Sequence, residues 1–230
     1  MWMKSRWFQK LGGGGMERLG LRLWSRLQFT ALHGRKDKET VDLLWKIHQD
    51  RRSLLSAFEA YLVFAAARAQ AKQPGDYAEV GVYKGASAKL ICEAKGDKKL
   101  RLFDTYEGLP PQSANDPGVH REQQYACSLE SVREYLNGYS NIEFYKGLFP
   151  ESAKGVPEAQ YAFAHFDVDL YEGTLGCLEY FYPRMIPGGI MLSHDYGLLS
   201  GVEKAFDEFF ADKPEGIIEQ PTTQCLVFKH

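Results

Sequence analysis

The 230 residues suffice for one large domain with an extension, and 44% hydrophobic with 25% charged residues is typical of a globular chain. The net charge of −2 gives no reason to expect a nucleic-acid partner, and no apolar run is long enough to span a bilayer. The N-terminus lacks the continuous apolar stretch of a signal peptide, and four scattered cysteines without a CxxC pair indicate a reduced, cytoplasmic protein.

Basic charge is concentrated at the N-terminus, where residues 1–38 carry a balance of +7 and the remaining 192 residues carry −9. Apolar residues of this segment fall at helical spacing: Leu19, Leu23, Trp24 and Leu27. Arginines spaced four apart line another face: Arg18, Arg22 and Arg26. This amphipathic helix could make weak contact with an anionic membrane surface. We favour the alternative that its apolar stripe packs on its own domain or on a second subunit, which makes a homo-oligomer the expected assembly.

A long helical pattern over 40–71 ends at the Pro74-Gly75 turn, and strands then alternate with helices. The predicted strands are residues 77–83, 100–104, 142–146, 161–169, 189–194, 217–219 and 225–229. The predicted helices are residues 86–94, 129–137, 171–182 and 201–211. The alternation predicts an α/β fold with a mostly parallel seven-stranded sheet, and an antiparallel last hairpin because no helix separates the final two strands. We divide the chain into an extension (1–38), a helical part (39–74) and a core (75–230).

The stretch "YAEVGVYKGASA" predicts a strand, a glycine turn and a helix. Gly81 and Gly85 allow backbone to approach a ligand closely, although their GxxxG spacing differs from the GxGxxG of dinucleotide sites. Glu79 would point from the strand end into the crevice, where a carboxylate suits a cationic group such as an amino-acid amine. A purely structural strand–turn–helix would have a similar pattern.

Two further signals indicate a nucleoside. Asp104 ends the second predicted strand, where a carboxylate commonly accepts hydrogen bonds from ribose hydroxyls in both dinucleotide and S-adenosylmethionine proteins. Its alternative role is that of a helix cap or turn residue. After the third strand, Gly147 would let a loop lie flat against an adenine with Leu148 beside it, or the loop simply covers the core.

The most informative stretches are "HFDVDLYEGT" and "IMLSHDYG". They place Asp167, Asp169, His194 and Asp195 at the carboxyl ends of two neighbouring strands, where open α/β sheets bind ligands. Because unpaired carboxylates would repel one another, a divalent cation is expected among them, with a spare carboxylate as general base. The alternative is that Asp169 and Asp195 cap helices or turns. His165 lies deeper on the strand and is expected to be a core histidine.

Five blocks taken in order, "EVGVYKGASA", "LFDTYEGLP", "HFDVDLYEGT", "YPRMIPGGIMLSHDYG" and "GVEKAFDEFF", resemble the macrocin O-methyltransferase family of antibiotic tailoring enzymes. The resemblance covers about residues 50–230. It implies a Rossmann-like class I methyltransferase fold, S-adenosylmethionine as donor and a divalent metal, usually magnesium. The implied acceptor is a small natural product with adjacent hydroxyls, and the implied methylation site is a sugar hydroxyl.

The resemblance also implies roles for individual residues. The implied donor-binding set is Glu79, Val80, Gly81, Val82, Tyr83, Gly85, Ser87, Asp104, Gly147 and Leu148. Asp167 and Asp195 become metal ligands, and Asp169 becomes the general base. His194 is assigned both as a metal ligand and as a catalytic residue. Better-known members of the family carry an acidic residue at this position. Because imidazole suits softer ions, manganese or another transition metal is also expected to fit.

Residues 106–127 are turn-rich and are predicted to form a lid over the substrate. The "DVDLY" run differs from the Asn/Asp-Pro-Pro-aromatic run of amine methylators, which favours oxygen as the acceptor. Two alternatives stay open at this point. One is a nicotinamide-dependent oxidoreductase, which Asp104 and the glycine turn allow; the other is a binding protein that works through its basic N-terminus.

Overall fold

The computed structural model describes residues 15–51, 53–116 and 118–230, without the side chains of residues 15–19, 21 and 22. Its N-terminal part consists of three helices, α1 (Gly15–His33), α2 (Lys38–Arg51) and α3 (Ala57–Gln70). The single long helix predicted over 40–71 is therefore wrong, because Ser56 begins a new helix. The backbone N–H of Ser56 donates to Glu59 Oε2 at 2.8 Å, and the Ser56 side chain accepts from the Glu59 N–H. This reciprocal capping box satisfies N–H groups at the start of α3.

The remaining chain forms one seven-stranded sheet with helices on both faces. Its strands are β1 (Asp76–Val80), β2 (Leu100–Asp104), β3 (Ile142–Lys146), β4 (Tyr161–Phe166), β5 (Met185–Ser193), β6 (Ile218–Glu219) and β7 (Cys225–Phe228). Its helices are α4 (Ala86–Ala94), α5 (Leu129–Tyr135), α6 (Tyr171–Phe181) and α7 (Ser200–Phe210). The strand order is β3-β2-β1-β4-β5-β7-β6, parallel except for β7, which confirms the predicted fold class and the antiparallel hairpin.

Two apolar cores lie against the sheet. One joins α3, α4 and α5 to the sheet, and the other joins α6 and α7 to it. Strand β4 lies at the centre, and all six of its residues are buried, as expected for a strand covered on both faces. The fully buried Phe181 of α6 contacts Phe149, Tyr161 and Phe166. These contacts hold the strand ends in place.

Strands β1 and β4 end earlier than predicted because the chain turns sharply at both sites. Gly81 has a φ of +84°, and a Cβ there would lie 1.9 Å from the carbonyl oxygen of Asp167. The Asp167 N–H donates to the Val80 carbonyl at 2.9 Å. Asp169 has a φ of +59°, so the two aspartates do not continue the strand. The glycine at 81 is thus required by the close approach of two loops.

The N-terminal helix presents its predicted apolar stripe to solvent. The exposed fractions of Leu23, Trp24 and Leu27 are 55%, 57% and 66%, whereas Phe29 and Leu32 on another face are buried. Packing of those three side chains on their own domain is therefore wrong. The predictions for residues 1–14 and for the side chains of Arg18, Leu19 and Arg22 lie outside what the structure describes. Membrane-surface contact, a homo-oligomer and the domain boundaries stay predictions; every helix in the described ranges is too short or too polar to cross a bilayer.

Candidate active site

A cavity of about 1670 Å³ lies at the carboxyl ends of the parallel strands. One wall is formed by the glycine loop after β1, by Asp104 and by residues 147–151. A second wall is formed by residues 167–170 and by His194 and Asp195. Parts of α1, of the α2–α3 junction and of the 108–125 segment also line it. All the parallel-strand ends that the sequence marked as functional thus meet in one space.

Asp104 organises the first wall. Its Oδ2 accepts hydrogen bonds from the N–H groups of Val82 at 2.6 Å and Tyr83 at 2.9 Å, and its Oδ1 accepts from Tyr106 N–H at 2.6 Å. A carboxylate has about four acceptor positions, so one remains for a ligand. The structure therefore combines both predicted roles of Asp104, as a turn residue and as a group facing the cavity. Gly85 adopts the left-handed conformation, with a φ of +80°, and begins α4.

Glu79 lies elsewhere than the sequence suggested. Its side chain is fully buried in β1, and the residues between Val80 and Ser87 line the cavity without Glu79 and without Gly85. Glu79 Oε1 lies 2.9 Å from His165 Nδ1 on the neighbouring strand β4. Burial raises the pKa of Glu79, and the contact with His165 opposes that rise. His165 is therefore the core histidine expected, and Glu79 is its partner behind the loop.

Gly147 and Leu148 reach the same wall as Asp104. The Gly147 N–H donates to the backbone carbonyl of Asp104 at 3.0 Å, and the φ of Gly147 is +139°. Leu148 is 48% exposed and lines the cavity. A flat ligand could therefore rest against backbone at 147 with an apolar side chain beside it.

Asp167, His194 and Asp195 converge on the second wall. His194 Nδ1 lies 3.1 Å from Asp195 Oδ2 and 3.5 Å from Asp167 Oδ1. One ligand atom from each of the three residues can be chosen so that all lie within 4.8 Å of one another. Nδ1 is buried and has no hydrogen-bond partner among the described residues. Two carboxylates and an imidazole nitrogen facing one point form a donor set that fits a divalent cation.

The charges of this cluster shift the pKa values in different directions. Burial and the carboxylates of Asp195 and Asp167 raise the pKa of Asp169 well above its ordinary value. Burial also raises the pKa of Asp167. Burial would raise the pKa of Asp195 as well, but the charge of the nearby His194 lowers it. Burial alone would lower the pKa of His194, but the carboxylates of Asp195, Asp167 and Glu59 raise it well above its ordinary value.

The structure excludes the alternative that Asp169 or Asp195 is a helix N-cap, although the Asp195 carbonyl closes a turn by accepting from the N–H groups of Leu198 and Leu199. Asp169 and Asp195 both lie in the left-handed region, with φ of +59° and +61°, a conformation that costs energy in non-glycine residues and is concentrated at functional sites. Helix α6 begins after Leu170, and its Tyr171 N–H donates to Asp116 Oδ1 at 2.8 Å. Helix α7 begins after Leu199. Neither aspartate side chain caps a helix.

The segment predicted as a lid lies against the cavity. Between β2 and α5 it contains no helix or strand in its described residues. Leu109 N–H donates to the Gln124 carbonyl, and Gln123 N–H donates to the Leu109 carbonyl, both at 2.9 Å. The two ends of the segment are thus bonded to each other, and its middle is bonded to the start of α6 through Asp116. This arrangement supports the lid prediction.

Sequence reasoning missed Glu59. This buried residue of α3 lies 3.5 Å from His194 Nε2, and Thr223 donates its hydroxyl hydrogen to Glu59 Oε1 at 2.8 Å. Burial would raise the pKa of Glu59, but His194 and Ser56 lower it well below its ordinary value. The only local signal was the S-x-x-E pattern at 56–59, which indicates a helix start and says nothing about a distant histidine.

Comparisons with known proteins agree with this geometry. A model of the family described as Macrocin-O-methyltransferase (TylF) matches residues 61–225. One relative, from Streptomyces olivaceus, is named as the 4'-O-methyltransferase of 8-demethyl-8-(2,3-dimethoxy-alpha-L-rhamnosyl)-tetracenomycin C. It is 33% identical over 141 residues, which are 54% of each chain. Demethyldecarbamoylnovobiocin O-methyltransferase of Streptomyces niveus is 29% identical over 154 residues, 60% of this chain and 59% of that one. The matches thus span only a little over half the length of these curated relatives.

Solved structures show the same fold. The O-methyltransferase NovP superposes with a TM-score of 0.69 at 22% identity, over 93% of this chain and 99% of that one. The calicheamicin methyltransferase CalS11 superposes with a TM-score of 0.64 at 18% identity, over 89% of this chain and 91% of that one. These two likenesses show the fold, and the family match with the named relatives favours methyl transfer over the nicotinamide alternative.

Proposed function

Because the chain belongs to the macrocin-O-methyltransferase (TylF) family, we propose that it transfers a methyl group from S-adenosylmethionine to a hydroxyl oxygen of a small natural product. Its curated relatives are named as O-methyltransferases of a rhamnosyl tetracenomycin C, of demethyldecarbamoylnovobiocin and of mycinamicin III. A sugar or another group with adjacent hydroxyls is therefore the acceptor class that we assign.

One observation carries the proposal: the wall suited to a nucleoside and the acidic cluster touch each other. The backbone of Gly81 lies so close to Asp167 that a single Cβ could not be accommodated between them. A donor held along the glycine loop, Asp104, Gly147 and Leu148 would therefore end beside Asp167 and Asp169. Positioning the reacting atoms is the main task in such a transfer.

S-adenosylmethionine supplies an activated methyl group when it is bound. We assign the proton of the acceptor hydroxyl to Asp169, which interacts with Asp167 and Asp195 but does not belong to the candidate ligand set. Burial and those carboxylates raise the pKa of Asp169, so its ionised form is more basic than an ordinary carboxylate. Asp167, His194 and Asp195 are the residues that would hold a divalent cation, whose chemistry is to lower the proton affinity of a nearby hydroxyl.

The size and lining of the cavity support a bulky acceptor. Its volume of about 1670 Å³ exceeds the roughly 300–1,000 Å³ of a common ligand pocket, which leaves room for donor and acceptor together. Apolar side chains from outside the sheet also line it, among them Trp24, Leu54, Phe58 and Leu198. We assign these side chains, with the lid, to the acceptor pocket and to exclusion of water.

Calorimetric titration of chelator-treated protein tests the proposal. We expect S-adenosylmethionine to bind one site per chain and NADH not to bind. A methyl-transfer assay with glycosylated natural products would then identify the acceptor. Binding of NADH instead, or of neither ligand, would overturn the assignment; in the latter case loss of a partner on deletion of residues 1–38 would favour a binding protein.

A further inference from the structure

We propose that Glu59 is a positioning residue that orients His194, so that Nδ1 of the imidazole is presented to the space between Asp167 and Asp195. The inference rests on the proposed function, because it concerns the cation site of that enzyme. It adds a residue from the helical N-terminal part, outside the sheet, to a site otherwise built from strand ends.

The contacts of Glu59 define the first step. Its Oε2 accepts from Ser56 N–H at 2.8 Å, and its Oε1 accepts from the Thr223 hydroxyl at 2.8 Å and from Thr223 N–H at 3.3 Å. The carboxylate is therefore fixed from two sides, by its own helix and by the loop between β6 and β7. It is buried, with 6% of its surface exposed. A buried carboxylate held in this way has a defined direction for any further donor.

That further donor is His194. Its Nε2 lies 3.5 Å from Glu59 Oε2 and 3.5 Å from Thr223 Oγ1. Because the Thr223 hydroxyl gives its hydrogen to Glu59, both oxygens offer only lone pairs to Nε2. Nε2 must then carry a hydrogen, which leaves Nδ1 as the nitrogen that can offer a lone pair to a cation.

Nδ1 faces Asp195 Oδ2 at 3.1 Å and Asp167 Oδ1 at 3.5 Å, without a hydrogen bond among the described residues. With a divalent cation in place of the imidazole hydrogen, all three atoms can offer lone pairs to the same ion. A histidine that ligates a metal through one nitrogen and donates from the other to a carboxylate is a common arrangement, in which the carboxylate sets ring orientation. One nitrogen and two oxygens favour manganese or another transition ion over magnesium.

The test measures manganese binding to the full chain, without acceptor, in the wild type and in Glu59→Gln. Glutamine keeps the size of the side chain, but it has no negative charge and only one acceptor oxygen for the hydrogens of Ser56, Thr223 and His194. We expect its affinity for Mn²⁺ to fall by about 10- to 100-fold. Electron spin echo spectroscopy of bound Mn²⁺ should show nitrogen coupling from His194 in the wild type and a weakened coupling in the variant.

Ser56→Ala is the matched control, because it removes the side-chain cap of α3 and leaves the Glu59 carboxylate in place. It should lower thermal stability while Mn²⁺ affinity and nitrogen coupling stay at wild-type values. Thr223→Val, which deletes the hydroxyl between Glu59 and Nε2, should weaken Mn²⁺ binding in the same direction and supplies the test if Glu59→Gln does not fold.

Binding of S-adenosylmethionine to the same samples separates the two proposals. If wild-type protein binds S-adenosylmethionine but does not bind Mn²⁺, or binds Mn²⁺ without nitrogen coupling, the role of Glu59 is overturned. The methyltransferase assignment would still stand in that case. Unchanged Mn²⁺ affinity in both Glu59→Gln and Thr223→Val, or an equal loss in Ser56→Ala, would also overturn it. Failure of wild-type protein to bind the donor would count against the proposed function itself.

Discussion

Replacing Gly81 with alanine tests the close approach on which the whole site depends. The new Cβ would lie 1.9 Å from the Asp167 carbonyl oxygen and 2.7 Å from its carbonyl carbon, and both are backbone atoms that cannot turn away. Relieving that overlap must separate β1 from the end of β4 and disturb the 2.9 Å hydrogen bond from Asp167 to Val80. We expect a destabilisation of about 4 kcal/mol from three contributions. Overpacking costs about 1–3 kcal/mol, a non-glycine residue in the left-handed conformation costs about 1–2 kcal/mol, and the weakened hydrogen bond costs about 1 kcal/mol.

Gly96→Ala is the matched control, since Gly96 also has a positive φ, +60°, but no atom lies within 4 Å of the position that a Cβ would take there. We expect it to cost only the conformational term, about 1 kcal/mol. In urea denaturation, the difference of about 3 kcal/mol should separate the two midpoints by about 1 M or more. Equal midpoints for the two variants would refute the argument that Gly81 is required by contact with Asp167.

Three other substitutions probe separate parts of the molecule. Asp169→Asn should lower kcat by about 100- to 10,000-fold while the calorimetric affinity for S-adenosylmethionine stays the same, and turnover near the wild-type rate would remove Asp169 from the role of base. Asp104→Asn replaces one acceptor oxygen with an NH₂ group that faces the N–H groups of Val82, Tyr83 or Tyr106. Binding of S-adenosylmethionine should therefore weaken by about tenfold or more. An unchanged dissociation constant would contradict the assignment of Asp104 to the S-adenosylmethionine site. Phe181→Ala should cost about 3–5 kcal/mol in urea denaturation, because the side chain is fully buried among five aromatic rings, and a loss below about 1 kcal/mol would show that this core is not packed as described.

The order of strands and helices could be predicted because it depends on local patterns. The bounds of β2, β3 and α4 agree with the prediction residue for residue, since each has an apolar period and a clear stop. The placement of Asp104, Asp167 and Asp195 around one cavity also followed from the sequence, because parallel strands bring their carboxyl ends to the same edge. Here the connectivity alone dictated the geometry.

Local patterns failed where a residue's partner lies far along the chain. Glu79 follows the expected strand, yet packing against His165 on β4 places it behind the loop and not in the cavity wall. The stripe of α1 has the spacing of a buried face, yet Leu23, Trp24 and Leu27 are exposed, because Phe29 and Leu32 occupy the contact with the domain.

The sequence by itself determined the α/β architecture, the family and the acidic residues at the strand ends, because each of these is written in short, contiguous stretches. Only the tertiary structure decided which groups those residues meet. Glu59 and Thr223 are 164 positions apart, and they enclose His194 only after α3, β5 and the β6–β7 loop have packed together. Hydrogen-bond partners brought together by packing leave no pattern in the chain, so the environment of the site could be seen only in the folded molecule.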